Sequence, residues 1–379
     1  MKVITHENRN FGLDLIRTLA IGSVLMFHWL GTSGHYYDIF SLLGFYGVEI
    51  FFVLSGFLIG NILVKSYLRE PSFKFKTVLN FWMRRWMRTL PLYYFILIAE
   101  IISFNLRGLE VPNLWKYFFF LQNFFFYDTT KHDFYGVSWS LSIEEWFYIS
   151  FPLILIFTDL VLNKLLTKTK ILILVIVIFI IGSLLIRTGF TMNHMADWKN
   201  VFRKGVICRE DSIAFGVVAA LLYNLNFNFF EKRRRNLMLA GLILLFAGAV
   251  IFYLDVAHNY SVVNGDVSFF SKTLLFTIVS LGVLLTIPYF YFININSKPI
   301  VSVTTFISTI SYSLYLVHPF LLEPIASLFK EKNNVLIVFI HLILFLGITT
   351  IISFVTYTLI EKTFLNVRNR FFSEKHKPV

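Results

Sequence analysis

Ten long apolar runs, separated by short polar stretches, organise the chain: residues 11–30, 43–63, 90–106, 140–158, 170–189, 206–223, 237–254, 272–292, 302–322 and 335–358. They approach the roughly 20 residues that an α-helix needs to cross about 30 Å of hydrocarbon. The pattern predicts an all-α polytopic membrane protein with about ten transmembrane helices. One domain covers about 11–361, and a short basic tail follows at 362–379. The run Phe118–Phe126 (FFFLQNFFF) is too short to cross and reads as a re-entrant or interfacial segment. No small-residue cleavage site follows the first run, so it is expected as a retained helix and not a signal peptide.

Composition agrees with the pattern. Hydrophobic residues make up 57% of the 379, with 45 Phe, and only 15% are charged, against about 25% in soluble domains. A soluble fold could not hide that much apolar surface, which excludes a soluble enzyme, a disordered chain and a disulfide scaffold. The single Cys208 forbids an intramolecular disulfide and argues against a thiolate metal cluster.

The net charge of +12 would suggest nucleic acid in a soluble chain. Here its distribution matters instead. With the N-terminus in the cytoplasm, alternate loops carry 22 basic residues inside and 10 outside, a positive-inside bias. Both termini are expected in the cytoplasm, with Lys232–Arg235 and the tail against anionic membrane lipids. No nucleic-acid partner is expected.

Ionisable side chains within a span are costly unless paired or hydrated, so each is a functional candidate. In the first run, Arg17 and His28 are eleven residues apart, about 20° from three full turns, and therefore share a face about 16 Å apart. That describes a polar path into the membrane; the alternative for His28 is a core histidine bonded to a nearby carbonyl. Asp14 lies one turn from Arg17 and can pair with it. The fourth run opens Trp139-Ser-Leu-Ser-Ile-Glu144-Glu145. Glu144 and Tyr148 stand at i, i+4, although Ser138 or Ser140 could simply cap the helix there and the first-turn glutamates suit its positive end.

Ser55 precedes Gly56 in the second run, Arg209 and Asp211 open the sixth, and His318 precedes Pro319 in the ninth. Glu100 and His341 have no polar company at helical spacing and read as structural. Ahead of the third run, Arg84, Arg85 and Arg88 lie among Trp82 and Trp86. Guanidinium forks suit phosphates and indoles suit an adenine face; an interfacial amphipathic helix is the other reading.

In this order, the motifs resemble the integral-membrane acyltransferase-3 family of bacterial O-acyltransferases. The resemblance is carried by Arg17 with His28, the stretch from Gly47 to Leu58, Arg85 with Arg88, the block Trp139–Tyr148, Arg209 with Asp211 and Gly216, and Ser311–His318. It spans Phe11 to about Glu361 and implies residence in the bacterial cell membrane. It also implies acetyl-CoA or another acyl-CoA as cytoplasmic donor substrate, no permanently bound cofactor, and a hydroxyl acceptor at the outer face. That acceptor would be a glycan, a lipid-linked sugar or a small hydroxylated molecule.

The resemblance further implies that Arg84, Arg85 and Arg88 hold donor phosphates and that Arg17 guides the pantetheine arm. His28 would be the general base, with Glu144 supporting it. Trp139, Tyr148, Arg209, Asp211, Ser55 and His318 would bind substrate. Many members carry a C-terminal hydrolase-like domain; none is expected here, so transfer would finish within the membrane domain. The rival function is a proton-coupled transporter of a sugar or lipid, with His, Arg and Glu as a relay; the duplicated halves common in transporters are not visible.

Overall fold

The computed structural model describes residues 9–33, 37–70, 73–126, 134–193, 197–257, 267–328 and 335–373. The apolar runs fold as helices: α1 (Phe11–Ser33), α2 (Tyr37–Arg69), α3 (Phe75–Leu106), the short α4 (Leu114–Phe118), α5 (Ser138–Leu162), α6 (Lys168–Met192), α7 (Glu210–Leu225), the short α8 (Phe227–Lys232), α9 (Arg234–Ile251), α10 (Phe269–Tyr291), α11 (Lys298–Ala326), α12 (Val335–Thr356) and α13 (Lys362–Ser373). Among the described residues, nine helical stretches are long and apolar enough to cross a membrane. The tenth expected span is α7, whose 16 residues reach only about 24 Å.

Several local details differ from expectation. The span predicted at 90–106 is the second half of α3, which starts at Phe75 and passes through Pro91 unbroken. The arginine motif therefore sits on a membrane helix and not in a loop. The sixth span begins after a separate 3₁₀ turn, Val206–Cys208. Neither Ser138 nor Ser140 caps α5: Val137 holds the cap position without a side-chain bond, and the Ser140 hydroxyl lies instead 3.2 Å from the Val137 carbonyl and 2.6 Å from the Tyr315 hydroxyl. Beyond α12 the chain continues through a π-helical turn, Tyr357–Glu361, into α13, which covers the first part of the expected tail.

The segment 114–126 does not cross. After α4 it runs as turns to residue 126, and its two central polar residues bind α5. Gln122 donates to Ser142 at 2.6 Å, and Asn123 to the Trp139 carbonyl at 2.9 Å. Asp128 and the basic residues Lys2, Lys131, Lys330, Lys332, Lys375 and Lys377 lie outside the described residues. Two of the ten cations counted as outer-loop charges, Arg187 and Lys272, are buried on α6 and α10.

Packing at the centre depends on glycine. A Cβ on Gly56 of α2 would stand 1.9 Å from the Ile213 carbonyl of α7, and one on Gly216 would stand 2.1 Å from the Val53 carbonyl. Only hydrogen lets these backbones meet, as in other small-residue contacts in lipid. Gly216→Val should separate α2 from α7 and cost roughly 1–3 kcal/mol or more, as overpacking does. The check is the half-life of the detergent-solubilised protein at a fixed temperature, which should fall well below that of the parent.

Candidate active site

Helices α1 and α11 run parallel, and their polar residues meet at successive levels. Near the start of α1, Asp14 accepts from Arg9 at 2.7 Å and from Ser308 at 2.6 Å, and lies 3.5 Å from Arg17. Arg17 in turn donates to Ser308 at 3.1 Å, and Thr18 to the Thr304 carbonyl. Ten residues further along α11, His318 Nε2 stands 3.2 Å from His28 Nδ1. The eleven-residue spacing on α1 thus matches a near-equal spacing on α11.

The two histidines fix each other's chemistry. His28 Nδ1 faces the Val24 carbonyl at 2.9 Å, and His318 Nδ1 faces the Leu314 carbonyl at 3.0 Å. A carbonyl only accepts, so each Nδ1 carries the proton. His318 Nε2 then accepts from the shared His28 Nδ1–H, and the basic nitrogen of His28 is Nε2. His318 is fully buried, as an orienting ring should be, whereas His28 lines a cavity.

That cavity, of about 850 Å³, opens around the C-terminal end of α1 and contains His28, Glu100, Arg107, Trp139, Arg203 and Tyr315 in its wall. A second cavity, of about 460 Å³, extends toward the N-terminal half of α1 and is bounded by Arg17, Ser55, Arg85, Arg88, Glu144 and Tyr312. The histidine cavity and the arginine cavity share two wall residues, Val48 and Tyr315. The Tyr315 hydroxyl is held by Ser140 at 2.6 Å and donates to the Val137 carbonyl at 3.3 Å, and its ring centroid is 6.0 Å from that of His318. Tyr315 is thus a septum between the two spaces.

Within the arginine cavity the expected cluster divides. Arg85 is committed to α5: its guanidinium donates to Glu144 at 2.7 Å and to the Tyr148 hydroxyl at 3.2 Å, over the Tyr148 ring. Tyr148 donates to Glu144 at 2.8 Å, which realises the i, i+4 pairing read from sequence, and Ser55 completes the carboxylate shell at 3.1 Å. Arg17 and Arg88 remain as the cations directed at the cavity, and Arg88 makes no hydrogen bond or ion pair with a described residue. Arg84 is exposed and lies over Phe372 of α13 at 4.4 Å, outside the cavity. Trp82 and Trp86 stack on each other at 5.8 Å, and their indole N–H groups donate to the Tyr148 carbonyl and to Glu145. They join α3 to α5 and line neither cavity.

The structure places the other expected site residues as follows. Glu144 lines the arginine cavity and has no bond to His28; among the described residues, a polar side chain that contacts His28 is His318. Tyr148 stands behind Glu144 and lines neither cavity. Arg209 and Asp211 are also absent from both walls. Arg209 pairs with Glu49 at 2.5 Å, Asp211 pairs with Arg187 at 2.7 Å, and all four side chains are within 1% of complete burial. Two acids and two bases form a neutral block where α2, α6 and α7 meet, closed by Ser212 and Ser280. Glu100, set aside in the sequence, lines the histidine cavity. Its polar company comes from other helices, which single-helix spacing does not register, but its position as an ionisable group inside a span was a usable signal.

Fold and site together define an all-helical polytopic membrane protein with a histidine pair and two cavities that meet at Val48 and Tyr315. The chain belongs to the acyltransferase-3 family: the family's acyltransferase-domain profile matches residues 10–358. Among curated relatives, it is 35% identical over 189 residues to the peptidoglycan O-acetyltransferase OatA of Listeria monocytogenes, covering 44% of this chain and 28% of that protein. It is 27% identical over 379 residues to the O-acetyltransferase OatA of Staphylococcus aureus, covering 92% of this chain and 56% of that protein. The chain spans about half the length of the curated relatives it matches. No solved structure matches it.

Proposed function

We propose that this chain is an acyl-CoA-dependent O-acetyltransferase that carries an acetyl group from a cytoplasmic donor to a hydroxyl of a cell-wall glycan on the other side of the membrane. The observation that carries the reading is the pair of cavities extending toward opposite ends of α1 with Tyr315 and Val48 as their common wall. A two-substrate transfer across a bilayer needs two binding spaces whose reactive ends meet. The basic-residue bias along the sequence supports placing the arginine cavity on the cytoplasmic side.

In this mechanism Arg17 and Arg88 hold donor phosphates through charge-assisted bonds. A cavity of this volume takes the pantetheine arm and leaves the nucleotide at its mouth. Arg85 does not touch the donor; it fixes Glu144, and through it Ser55 and Tyr148, as a rigid wall. His28 Nε2 accepts the proton of the acceptor hydroxyl as that oxygen attacks the thioester carbonyl. The C–O bond forms, the C–S bond breaks, and the thiolate of CoA leaves and takes the proton from the imidazolium. His318 holds the His28 ring in the productive tautomer, the office that a buried acid fills in a hydrolase triad.

The test uses the purified full chain with acetyl-CoA. Arg17→Gln and Arg88→Gln should each weaken acetyl-CoA binding by roughly 10- to 100-fold, the loss of one charge-assisted phosphate contact. The difference from the parent should shrink in high salt, which screens the attraction the parent still has. Acetyl-CoA binding by both variants equal to that of the parent would overturn the donor assignment.

A further inference from the structure

The histidine cavity contains more positive charge than proton abstraction requires. Among the described residues, four basic side chains, Arg107, Lys199, Arg203 and Lys204, and two acidic ones, Glu100 and Glu323, line it. Arg107 and Glu323 pair at 3.1 Å at its exposed rim. The other three cations all come from one short segment that includes the π-helical turn Trp198–Arg203.

The segment is anchored from several directions. Asp197 accepts from the Asn200 backbone at 2.9 Å and its side chain at 2.7 Å. The Trp198 indole donates to the Ser271 carbonyl of α10 at 3.1 Å. Asn123 donates both to the Lys204 carbonyl at 2.6 Å and to the Trp139 carbonyl at 2.9 Å, tying the segment to the start of α5. The Arg203 guanidinium lies 5.8–6.0 Å from the rings of Phe45, Trp139 and Trp198, within reach of cation–π attraction.

Cations on a rigid mount, an indole and a histidine base converge on one cavity. Sugar rings lie on indole faces through their C–H surfaces, and charge in a partly desolvated cleft selects ligands of opposite sign. We propose that the acceptor read by this cavity is an anionic saccharide. Its carboxylate or phosphate engages Lys199, Arg203 and Lys204, and one of its hydroxyls reaches His28 Nε2. The inference rests on the acetyl-transfer reading above and adds the charge class of the substrate.

The experiment measures acetyl transfer from labelled acetyl-CoA by the full chain in vesicles to three soluble probes of equal length. These are a neutral N-acetylglucosamine oligosaccharide, the same oligosaccharide bearing carboxylates, and the same bearing a phosphate monoester. The charged probes should be preferred in kcat/KM by roughly tenfold or more, as expected for a charge-assisted contact. The preference should decline as salt rises, a readout that needs no variant. Preference for the carboxylate probe points to a charge on the glycan itself, and preference for the phosphate probe to a phosphate-linked carrier. In Lys199→Glu, and in Arg203→Gln as a second variant, the ratio of charged to neutral kcat/KM should fall about tenfold. Equal use of all three probes, independent of salt, would overturn the anionic acceptor and leave acetyl transfer standing. Bound acetyl-CoA with no transfer to any probe would overturn the acetyl-transfer reading and this proposal with it.

Discussion

His28→Ala should reduce acetyl transfer by about 10²- to 10⁴-fold, the usual contribution of a positioned general base, while acetyl-CoA binding stays within a factor of two or so of the parent. The two effects separate because the donor arginines and His28 belong to different cavities that touch only at Val48 and Tyr315. His318→Ala removes the ring 3.2 Å from His28 Nδ1 and should also depress turnover, through loss of orientation. Residues acting as one unit are not additive, so the His28→Ala/His318→Ala double variant should be little worse than His28→Ala alone. Glu144→Gln should act differently: it loosens Arg85, Ser55 and Tyr148 in the other cavity, and should combine additively with His28→Ala. Rates from single-turnover assays, with binding measured separately, decide between these patterns. Near-parental turnover in a stable His28→Ala protein would remove the base assignment.

The sequence-based reading paired His28 with Glu144 and gave His318 a substrate-binding role, whereas the structure sets His318 beside His28. Periodicity along one helix shows which residues share a face, and it placed Arg17 with His28 and Glu144 with Tyr148 correctly. Which faces meet is a matter of tertiary packing across 290 residues of chain, for which spacing holds no signal. Arg85 was similarly legible as a functional cation but not as one already paired with Glu144.

The span count was legible because hydrocarbon thickness imposes length directly on sequence. The exceptions were places where helix and hydrocarbon do not coincide. The polar first turns of α3 continue the helix beyond its apolar stretch. The short α7 is enclosed by other helices, so it does not need the full length of a lipid-facing span. Pro91 stands near the start of the apolar run at 90–106, yet α3 passes through it, since proline within a membrane helix is tolerated where neighbouring groups satisfy the freed carbonyl.

Glu49→Gln should be among the most destabilising single changes in the molecule. It leaves the Arg209 guanidinium, fully buried between α2 and α7, without its counter-charge. Uncompensated buried charges cost roughly 3–5 kcal/mol, and Ser212 at 2.8 Å supplies a dipole but no charge to replace the carboxylate. Arg209→Met should damage the protein comparably from the other side. The double variant Glu49→Met/Arg209→Met removes both charges at similar volume and should recover much of the loss, because a neutral pair of apolar side chains leaves no buried charge behind. Phe276, whose ring faces Arg209 at 4.0 Å, and Phe52 already provide apolar neighbours. The measurement is the half-life of the solubilised protein at a fixed temperature for all four proteins, followed by acetyl transfer at a temperature where each survives. Recovery of both lifetime and turnover in the double variant assigns the pair to the scaffold. Recovered lifetime with abolished turnover would return Arg209 to the acceptor-binding role its motif suggested, and would require the buried block between α2, α6 and α7 to open during the reaction.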